Sequence, residues 1–503
     1  MDTASESRII IPRIKPSCTQ CQRSKKRCDR GKPHCSACVR YGRECVYLLR
    51  DDSMSVSSVE TASLSPAKAP QDSEESPHAV FFLDSVLFRR SMNRLPELEL
   101  SFKDPLLNFI GDFTSDRDFV HLYFSTLHPS IPFLSKKKFM ERILNPLSPP
   151  RPASLLLIAT MKLLADQRPE QGPRCKAYYS IKSSLLEAES SRSLELRVLQ
   201  AIILMAVFEV GHAIYPAAYL TVGYCVRYGS ALGLHKAVER YSEEGFSVTE
   251  SEERRRSWWV ILVLDRYMNL GCADRAFLTA DPSKNSILPI DDAIWEENKE
   301  MNAPVRRLFE PPTTAMGRFS LTAQSAILLG NVFRSIHEPP FSEAFWQNDV
   351  KVLDSTLVAL TSVSLEEGRH RGIGVCSPST ICYSGRLLLH DRERYAVDEF
   401  PFAATENFLP QDFKRDIAAG MLRLANAILS SGCCTTDEIT PFCVEAIYRG
   451  AVFYGREHSR TGNLSDAAAC ATIKEALNEI GKRWRAATLY AQMIDARIVT
   501  GIL

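Results

Sequence analysis

Six cysteines stand close together near the start of the chain: Cys18, Cys21, Cys28, Cys35, Cys38 and Cys45. Between successive cysteines lie 2, 6, 6, 2 and 6 residues, so a C-x2-C-x6-C unit occurs twice. Cysteine thiolates at such short spacings are ligands for tetrahedral zinc, which they bind at about 2.3 Å. A segment this short buries too little apolar surface to fold alone, so metal binding would supply its folding free energy.

The number of thiolates predicts how many ions they hold. Two tetrahedral ions need eight ligand bonds, and six sulfurs supply them when two of the sulfurs bridge both ions. The repeat makes its first members, Cys18 and Cys35, the natural bridging ligands. The other two cysteines of each unit then complete one site each. We therefore expect the six cysteines to hold two zinc ions per chain.

A run of basic residues lies between the second and third cysteines: Arg23, Lys25, Lys26 and Arg27. Like charges this dense on one short helix repel one another unless an anion neutralises them. Lysine and arginine bind guanine O6 and N7 in the major groove of double-stranded DNA, and others bind phosphates. The run therefore predicts DNA contact by these four residues, with an affinity that falls steeply with salt. A solvated surface or a nuclear import signal is the alternative, and import is compatible with DNA contact.

Residues 18–45 resemble the fungal binuclear zinc cluster family of transcription factors, in which six cysteines hold two zinc ions. The resemblance implies a module of two short helices, each opened by a cysteine pair. It also implies that the end of the first helix enters the major groove over a CGG triplet. The family's usual proline and aspartate are present as Pro33 and Asp29, and the lysine that reads the guanines corresponds to Lys25.

The basic segment departs from the commonest family pattern at two positions. That pattern has basic residues one and three places after the second cysteine, where this chain has Gln22 and Ser24. The resemblance still implies recognition of a CGG-like triplet, but it does not define the phosphate contacts at these two positions.

Other uses of the cysteines are less consistent with the sequence. A disulfide framework requires an oxidising compartment, and residues 1–17 do not have the pattern of a secretory signal. A RING-like site uses unshared ligands over a longer span; His34 lies beside Cys35, but six thiolates already satisfy two ions. Nine further cysteines are scattered and predicted to be reduced core residues, although the adjacent Cys433 and Cys434 leave a redox-active pair open.

Charge and composition divide the chain. Residues 8–50 hold twelve Lys and Arg against two acids, or +10, whereas the whole chain is +1, so the remainder sums to −9. Residues 51–79 contain eight serines, three prolines and six acids, which is typical of a flexible linker. We expect a tail over 1–14, the zinc module over 15–48, a disordered linker over 49–80 and a regulatory domain over 81–503.

The rest of the chain has the pattern of an all-α protein. The chain as a whole is 45% hydrophobic and 24% charged, which fits a soluble globular protein. Apolar residues recur at three- and four-residue spacing in 155–164, 183–189, 194–210, 217–234, 254–270, 353–360, 413–429 and 467–490. The most apolar stretch, 198–210, is too short to span a bilayer and contains Glu209, so we expect a buried helix and no membrane partner.

Two stretches of this domain resemble the family's middle homology region, which we place at about 120–300. They are residues 121–139 and 254–282, the second containing WW and DR pairs in their usual places. From their chemistry we expect core packing for Trp258 and Trp259, and a partly buried polar pair for Asp265 and Arg266. The turn that reads Gly-Arg-Pro in many relatives is here Asp274–Ala276.

An enzyme is not expected. The chain contains no nucleophile elbow, phosphate loop, dinucleotide glycine motif or HExxH pair. His121 and His128 lie seven residues apart, a spacing that is more typical of structural residues than of a metal site. The acidic and aromatic segment 395–413 is interpreted as a loop, with an activation segment as the alternative.

Together these features predict a nuclear, sequence-specific transcription factor of RNA polymerase II genes, a pathway-specific regulator of metabolic or biosynthetic genes, including secondary metabolism. Co-regulators or the transcription machinery are the expected protein partners. The resemblance also implies a small-molecule effector of the helical domain. No run of apolar a and d positions follows the cysteines, so monomer and homodimer both stay open. A corepressor or scaffold acting through protein contacts, or an enzyme fused to a DNA-binding module, is the alternative.

Overall fold

The computed structural model describes residues 13–14, 17–18, 21, 26–31, 34–41, 45, 49–50, 100, 102, 104–111, 118–143, 151–165, 172–191, 193–242, 245–271, 275–297, 305–311, 316–337, 342–371, 376–390, 411–430 and 438–500. Several predicted features lie outside these residues: Arg23, Lys25, Pro33, the linker segment 51–79, Cys433, Cys434 and residues 395–410. The chain divides into two compact units, Met1–Asp72 and Ser73–Leu503, which we call the head and the body.

The head is built around its cysteines. Strand β1 (Arg13–Ile14) pairs antiparallel with β2 (Leu49–Arg50), with Ile14 opposite Leu49. Helix α1 (Ser36–Arg40) follows the fourth cysteine. The family resemblance implies two helices in the head, and α1 is the second of them. At the position expected for the first helix, Cys21 is helical, and residues 22–25 lie outside the described residues. The two strands lie just outside the expected limits of the zinc module, at the end of the expected tail and at the start of the expected linker.

The body is helical, as predicted. Its helices are α2 (Asp104–Ile110), α3 (Asp118–Thr126), α4 (Lys136–Lys138), α5 (Pro152–Ala165), α6 (Lys176–Ser190), α7 (Leu196–Gly211), α8 (Ala217–Ala231), α9 (Val248–Tyr267), α10 (Asp292–Glu297), α11 (Arg318–His337), α12 (Glu343–Arg371), α13 (Cys376–Leu389), α14 (Gln411–Leu429), α15 (Val444–Thr461), α16 (Leu464–Gly481) and α17 (Arg485–Val499). Among the described residues beyond Leu100, the extended pairing is a single bridge between Ile287 and Arg307.

Helix α7 is the buried helix that the sequence predicts. Its residues from Val198 to Gly211 are all buried, because it packs against α5, α8 and α9 in the apolar core. Glu209 is 0% exposed and accepts hydrogen bonds from the Tyr178 hydroxyl and the Lys182 ammonium, each at 2.9 Å. No helix in the described part of the chain combines the length and apolar character that crossing a bilayer requires.

The predicted helix over 467–490 is two helices. Helix α16 ends at Gly481 and α17 begins at Arg485. The turn between them carries Trp484, which is 1% exposed and whose indole Nε1 donates to the Ile439 carbonyl at 2.7 Å. Its ring lies so close to Gly211 of α7 that any side chain there would overlap it. The helix is therefore interrupted where Trp484 is buried, although the apolar spacing of the sequence continues through this position.

Helix α9 begins with a capping box. The Ser247 hydroxyl accepts from the Glu250 N–H at 3.2 Å, and the Glu250 carboxylate accepts from the Ser247 N–H at 3.1 Å. From Ser251 to Tyr267 every residue of the helix is buried, although its first half is strongly charged. The helix packs against α7, α8 and α11, so it lies at the centre of the body's N-terminal half.

Candidate metal centre and nucleic-acid interface

The six cysteine sulfurs of the head form two groups of four. One group is Cys18, Cys21, Cys28 and Cys35; the other is Cys18, Cys35, Cys38 and Cys45. Within each group all sulfurs lie within 4.8 Å of one another. Two sulfurs belong to both groups, and they are those of Cys18 and Cys35, the residues that the repeat predicts as bridges. The fold therefore brings all six predicted ligands together.

The sulfur separations fit tetrahedral zinc. The Sγ atoms of Cys18 and Cys35 are 3.8 Å apart, those of Cys18 and Cys38 3.7 Å, and those of Cys21 and Cys35 3.6 Å. A tetrahedron with metal–sulfur bonds of about 2.3 Å has edges of about 3.8 Å. A disulfide would need about 2.05 Å, so the geometry is that of metal ligands. The residues present fit two zinc ions.

Burial and hydrogen bonding set the ionisation of these thiols. The Cys38 backbone N–H, at 3.4 Å from the sulfur, lowers the pKa of Cys35 to about 6. Burial, followed by the neighbouring Cys35 sulfur, raises the pKa of Cys38 to about 12. Adjacent sulfurs thus do not all ionise at neutral pH without a cation. Zinc supplies that cation, and its binding releases protons.

Helix α1 positions the second cysteine pair. Cys35 is its N-cap, and its sulfur accepts from the Cys38 N–H. Cys18 does the same for the first pair, accepting from the Cys21 N–H at 3.4 Å. The Cys45 sulfur accepts from the Cys35 N–H at 3.2 Å. Backbone donors therefore point at sulfur in both halves of the repeat and stabilise the thiolate form.

Asp29 joins the two halves of the head. Its carboxylate oxygens accept from the Ser36 N–H at 3.0 and 3.1 Å, and one also accepts from the Ser36 hydroxyl. These hydrogen bonds, the hydroxyl first, hold the pKa of Asp29 below its usual value. Since Asp29 follows the third cysteine and Ser36 opens α1, the carboxylate fixes the loop of one half to the helix of the other.

A basic surface lies beside the cysteine cluster. Lys26 and Arg27 are exposed, as is Arg40 at the end of α1. The Lys26 ammonium lies over the Tyr41 ring, 4.3 Å from its centroid, and Tyr41 itself is 54% exposed. These residues line one shallow groove on the head. Cations held at the edge of a rigid, metal-ligating core are suited to contact DNA bases and phosphates.

The structure places two of the four predicted DNA contacts on this surface, Lys26 and Arg27; Arg23 and Lys25 lie outside the described residues. Sequence reasoning missed Arg40 and Tyr41. A signal for Arg40 exists, because the repeat has a period of seventeen residues and Arg40 therefore occupies the position of Arg23 in the second unit.

In the body, the residues singled out in α9 have structural roles. Trp258 is 5% exposed, and Trp259 is fully buried with its Nε1 donating to the Ile287 carbonyl at 3.0 Å. Asp265 and Arg266 form an ion pair at 2.8 Å and are more deeply buried than expected, at 3% and 0% exposed. Their bonds to Thr279 hold the chain that follows α9 against the helix.

The charged first half of α9 is a buried ion-pair cluster. The Arg256 guanidinium donates to Glu252 at 2.8 Å, to the Pro132 carbonyl at 2.8 Å and to the Ile290 carbonyl at 2.6 Å. It also lies 4.8 Å from the centroid of the Trp295 ring. Sequence reasoning did not assign this cluster. Its role is to satisfy carbonyl groups of loops that pack around the helix.

His121 and His128 are not brought together as metal ligands in the described part of the body. His121 is exposed, whereas His128 is 1% exposed and pairs with Glu296 at 2.7 Å. Of the three lysines of α4, Lys138 pairs with Glu250 of α9 at 3.0 Å and with Glu253 at 3.3 Å. These contacts connect α4 to α9.

Two family models match the chain. Residues 16–53 match the fungal Zn(2)-Cys(6) binuclear cluster domain, which holds two zinc ions through six cysteines. Residues 120–342 match the fungal specific transcription factor domain. Fungal transcription factors of this family act in the nucleus. No solved structure matches the chain.

Curated relatives carry transcription factor names. Transcription factor BOA15 of Botryotinia fuckeliana is 41% identical over 136 residues, which cover 27% of this chain and 76% of that protein. Transcription factor tazR of Aspergillus terreus is 31% identical over 159 residues, 30% of this chain and 25% of that protein. Aurofusarin cluster transcription factor aurR2 of Gibberella zeae is 27% identical over 299 residues, 50% of this chain and 44% of that protein.

The matches to tazR and aurR2 span less than half of each relative, whereas the match to BOA15 spans about three quarters of that protein. Cysteine geometry, both family models and the BOA15 match agree with the resemblance that the sequence shows. The chain belongs to the fungal Zn(2)-Cys(6) binuclear cluster transcription factors.

Proposed function

We propose that this protein binds a CGG-like element in double-stranded DNA and regulates transcription by RNA polymerase II in the nucleus. The observation that carries the proposal is the pair of four-sulfur groups sharing Cys18 and Cys35, with exposed Lys26, Arg27 and Arg40 beside them. The metal centre fixes the backbone, and the basic residues supply the contacts to bases and phosphates. The metal centre has no catalytic role in this proposal.

The six cysteines Cys18, Cys21, Cys28, Cys35, Cys38 and Cys45 are the proposed zinc ligands. The proposed DNA contacts are Arg23, Lys25, Lys26 and Arg27, to which the groove on the head adds Arg40. The proposed domains are the zinc module at 15–48, a linker at 49–80 and a regulatory domain at 81–503. The division of the chain near Asp72 supports a boundary within that linker.

The regulated genes belong, in this proposal, to a metabolic or biosynthetic pathway. The printed name of aurR2 assigns that relative to the aurofusarin cluster, and this likeness supports a role in secondary metabolism. The body is the proposed regulatory domain, which receives a signal from a small-molecule effector or a co-regulator. Its large apolar core and its match to the fungal specific transcription factor domain support this role.

The test is selection of random duplex DNA by the full-length protein, with zinc measured on the same sample. We expect two zinc ions per chain and enrichment of a CGG element, whose repeat spacing distinguishes a monomer from a homodimer. Two zinc ions without an enriched sequence would contradict the proposal and favour a corepressor or scaffold that uses its zinc module for protein contacts.

Lys25→Ala sharpens this test. Loss of a bidentate contact to guanine should weaken specific binding by about 1–3 kcal/mol and relax the preference at one base pair. Lys351→Ala, an exposed lysine of α12, is the matched control and should leave binding unchanged. Equal weakening on CGG and on scrambled DNA would show that Lys25 contacts phosphate alone.

A further inference from the structure

A cleft of about 630 Å³ opens in the body where four helices meet. Its lining comes from the start of α8, the end of α9 and the residues after it, the start of α15 and the middle of α17; the residues used below are Tyr215, Tyr219, Tyr267, Arg275, Glu445 and Tyr490. A volume of this size is within the range of small-molecule sites, about 300–1,000 Å³.

Four tyrosines give the cleft its aromatic walls. Tyr267 is 8% exposed, and its hydroxyl is fixed by donation to the Pro441 carbonyl at 2.8 Å. Tyr490 packs against Tyr448, with ring centroids 4.7 Å apart. Burial, followed by the Glu445 carboxylate, raises the pKa of Tyr490, so it presents a neutral ring and hydroxyl. Rigid aromatic rings favour flat aromatic ligands, on which they stack or pack edge to face.

The two charged residues of the cleft are placed differently. Glu445 is 3% exposed; its carboxylate accepts from the Ser384 hydroxyl at 2.6 Å and from the Arg449 guanidinium, so its charge is balanced within the protein. Arg275 is exposed, with its guanidinium 4.9 Å from the centroid of the Tyr219 ring. A guanidinium held on a ring at the mouth of a cleft is suited to bind a carboxylate in two-point fashion.

We infer that this cleft binds a flat aromatic carboxylate as the effector of the body, an inference that rests on the proposed regulatory function. The aromatic ring lies among the four tyrosines, and the carboxylate pairs with Arg275. The ligand would contact α8 and α9, which lie within the family match at 120–342, and also α15 and α17, which lie beyond it. Binding therefore favours the arrangement in which these two sets of helices are packed together.

The test uses full-length, zinc-loaded protein and two probes in equilibrium dialysis, 2-naphthoate and its neutral analogue 2-naphthalenemethanol. Gly271 lines the cleft, and a Cβ built there meets no atom within 4 Å, so Gly271→Trp is the variant chosen to occupy the cleft with a large side chain. Arg275→Gln removes the charge. Arg227→Gln is the matched control, since Arg227 is an exposed residue of α8 that does not line the cleft.

We expect 2-naphthoate to bind the unaltered protein and Gly271→Trp to abolish binding of both probes. Arg275→Gln should weaken 2-naphthoate by about tenfold or more while leaving 2-naphthalenemethanol within about twofold. Arg227→Gln should change neither. The inference is overturned if 2-naphthoate does not bind, if Gly271→Trp binds it normally, or if Arg275→Gln weakens both probes equally.

Selection of DNA by the same samples separates the two proposals. Loss of the cleft inference with CGG selection intact leaves the proposed function standing. Binding of 2-naphthoate without selection of any DNA sequence contradicts the proposed function and leaves the cleft as a ligand site.

Discussion

The head and the body differ in what stabilises their folds. In the head, the buried cluster consists of cysteine sulfurs with Ala37 packed against them among the described residues, while Val39 is 66% exposed. In the body, one apolar core extends from Leu106 to Ile494. The head therefore depends on metal binding for its fold, and the body depends on the hydrophobic effect.

Arginines show the same contrast. Arg27 and Arg40 of the head are exposed, in position to meet an external anion, whereas Arg255 and Arg256 of the body are 1% and 0% exposed. In the body the anions are internal, since Glu252 pairs with both guanidinium groups. A cluster of charge in the sequence thus indicates a binding surface only when the fold leaves it at the surface.

Removal of zinc should unfold the head and leave the fold of the body unchanged. A strong chelator is expected to abolish DNA binding because the head loses the zinc ions that its six cysteines share, and it should then unfold. The body should be unaffected. All five tryptophans lie between Trp258 and Trp484, so tryptophan fluorescence reports on the body alone. A change in its thermal midpoint on chelation would contradict independent folding of the two units.

Substitution of a shared cysteine should empty both zinc sites. Cys35 belongs to both four-sulfur groups, so Cys35→Ala removes a ligand from each ion and is expected to leave no bound zinc. Cys28 belongs to one group, and Cys28→Ala should retain one ion of two. Zinc per chain by atomic emission checks both. An intact, zinc-loaded head in Cys35→Ala would disprove the bridged arrangement.

Loss of a buried guanidinium should destabilise the body strongly and leave the head intact. Arg256→Met removes the guanidinium that donates to the Pro132 and Ile290 carbonyls and that pairs with Glu252, which keeps only its bonds from Arg255 and the Ile290 N–H among the described contacts. Loss of this buried partner should lower the free energy of unfolding by about 3–5 kcal/mol. Urea unfolding followed by tryptophan fluorescence measures this. The control Arg227→Met, at an exposed position, should stay within about 0.5 kcal/mol. A similar small effect for Arg256→Met would show that the buried pairs add nothing to stability.

The smallest effect is expected at the N-terminus of α9. Burial acts to raise the pKa of Glu250, but Lys138 and Ser247 outweigh it and lower the pKa to about 2. Because the folded pKa lies below the unfolded one, the carboxylate stabilises the body above about pH 4.5, and this contribution is lost as the pH falls towards 2. Glu250→Gln should therefore cost about 0.5–1 kcal/mol at pH 7.

The pH dependence distinguishes this charge effect from loss of the cap. Glutamine keeps the capping box, so the difference between Glu250→Gln and the unaltered protein should shrink when unfolding is measured at pH 3.5. A cost that is the same at both pH values would mean that the ion pair with Lys138 is not its source.

Much of the architecture could be predicted from the sequence because it depends on local patterns. Cysteine spacing identified the six sulfurs and the two that are shared, and apolar periodicity identified α5, α7, α8 and α9. The break between α16 and α17 could not be predicted, because it depends on Trp484 packing against Gly211, which is remote in sequence. The same holds for the buried charges of α9, whose partners come from loops near Pro132 and Ile290.

Within the candidate site of the head, the sequence predicts the zinc ligands because the spacing of the cysteines is itself the signal. Asp29 was identified as a family feature, but its bonds to Ser36 across the two halves of the head required the fold. The seventeen-residue repeat marks Arg40, but its position beside Tyr41, Lys26 and Arg27 in one groove depends on the fold. The cleft in the body is formed from four segments that are far apart in the chain, and no local pattern marks it.

The sharing of Cys18 and Cys35 has a consequence for how the head responds to the supply of metal. An ion bound in one four-sulfur group already orders two of the four donors that the second ion needs. The species with one bound zinc ion should therefore be sparsely populated. The chain should go from no bound zinc to two bound ions over a narrow range of free zinc concentration. The fraction of heads that can bind DNA should therefore rise more steeply with zinc concentration than in a protein with two separate zinc sites.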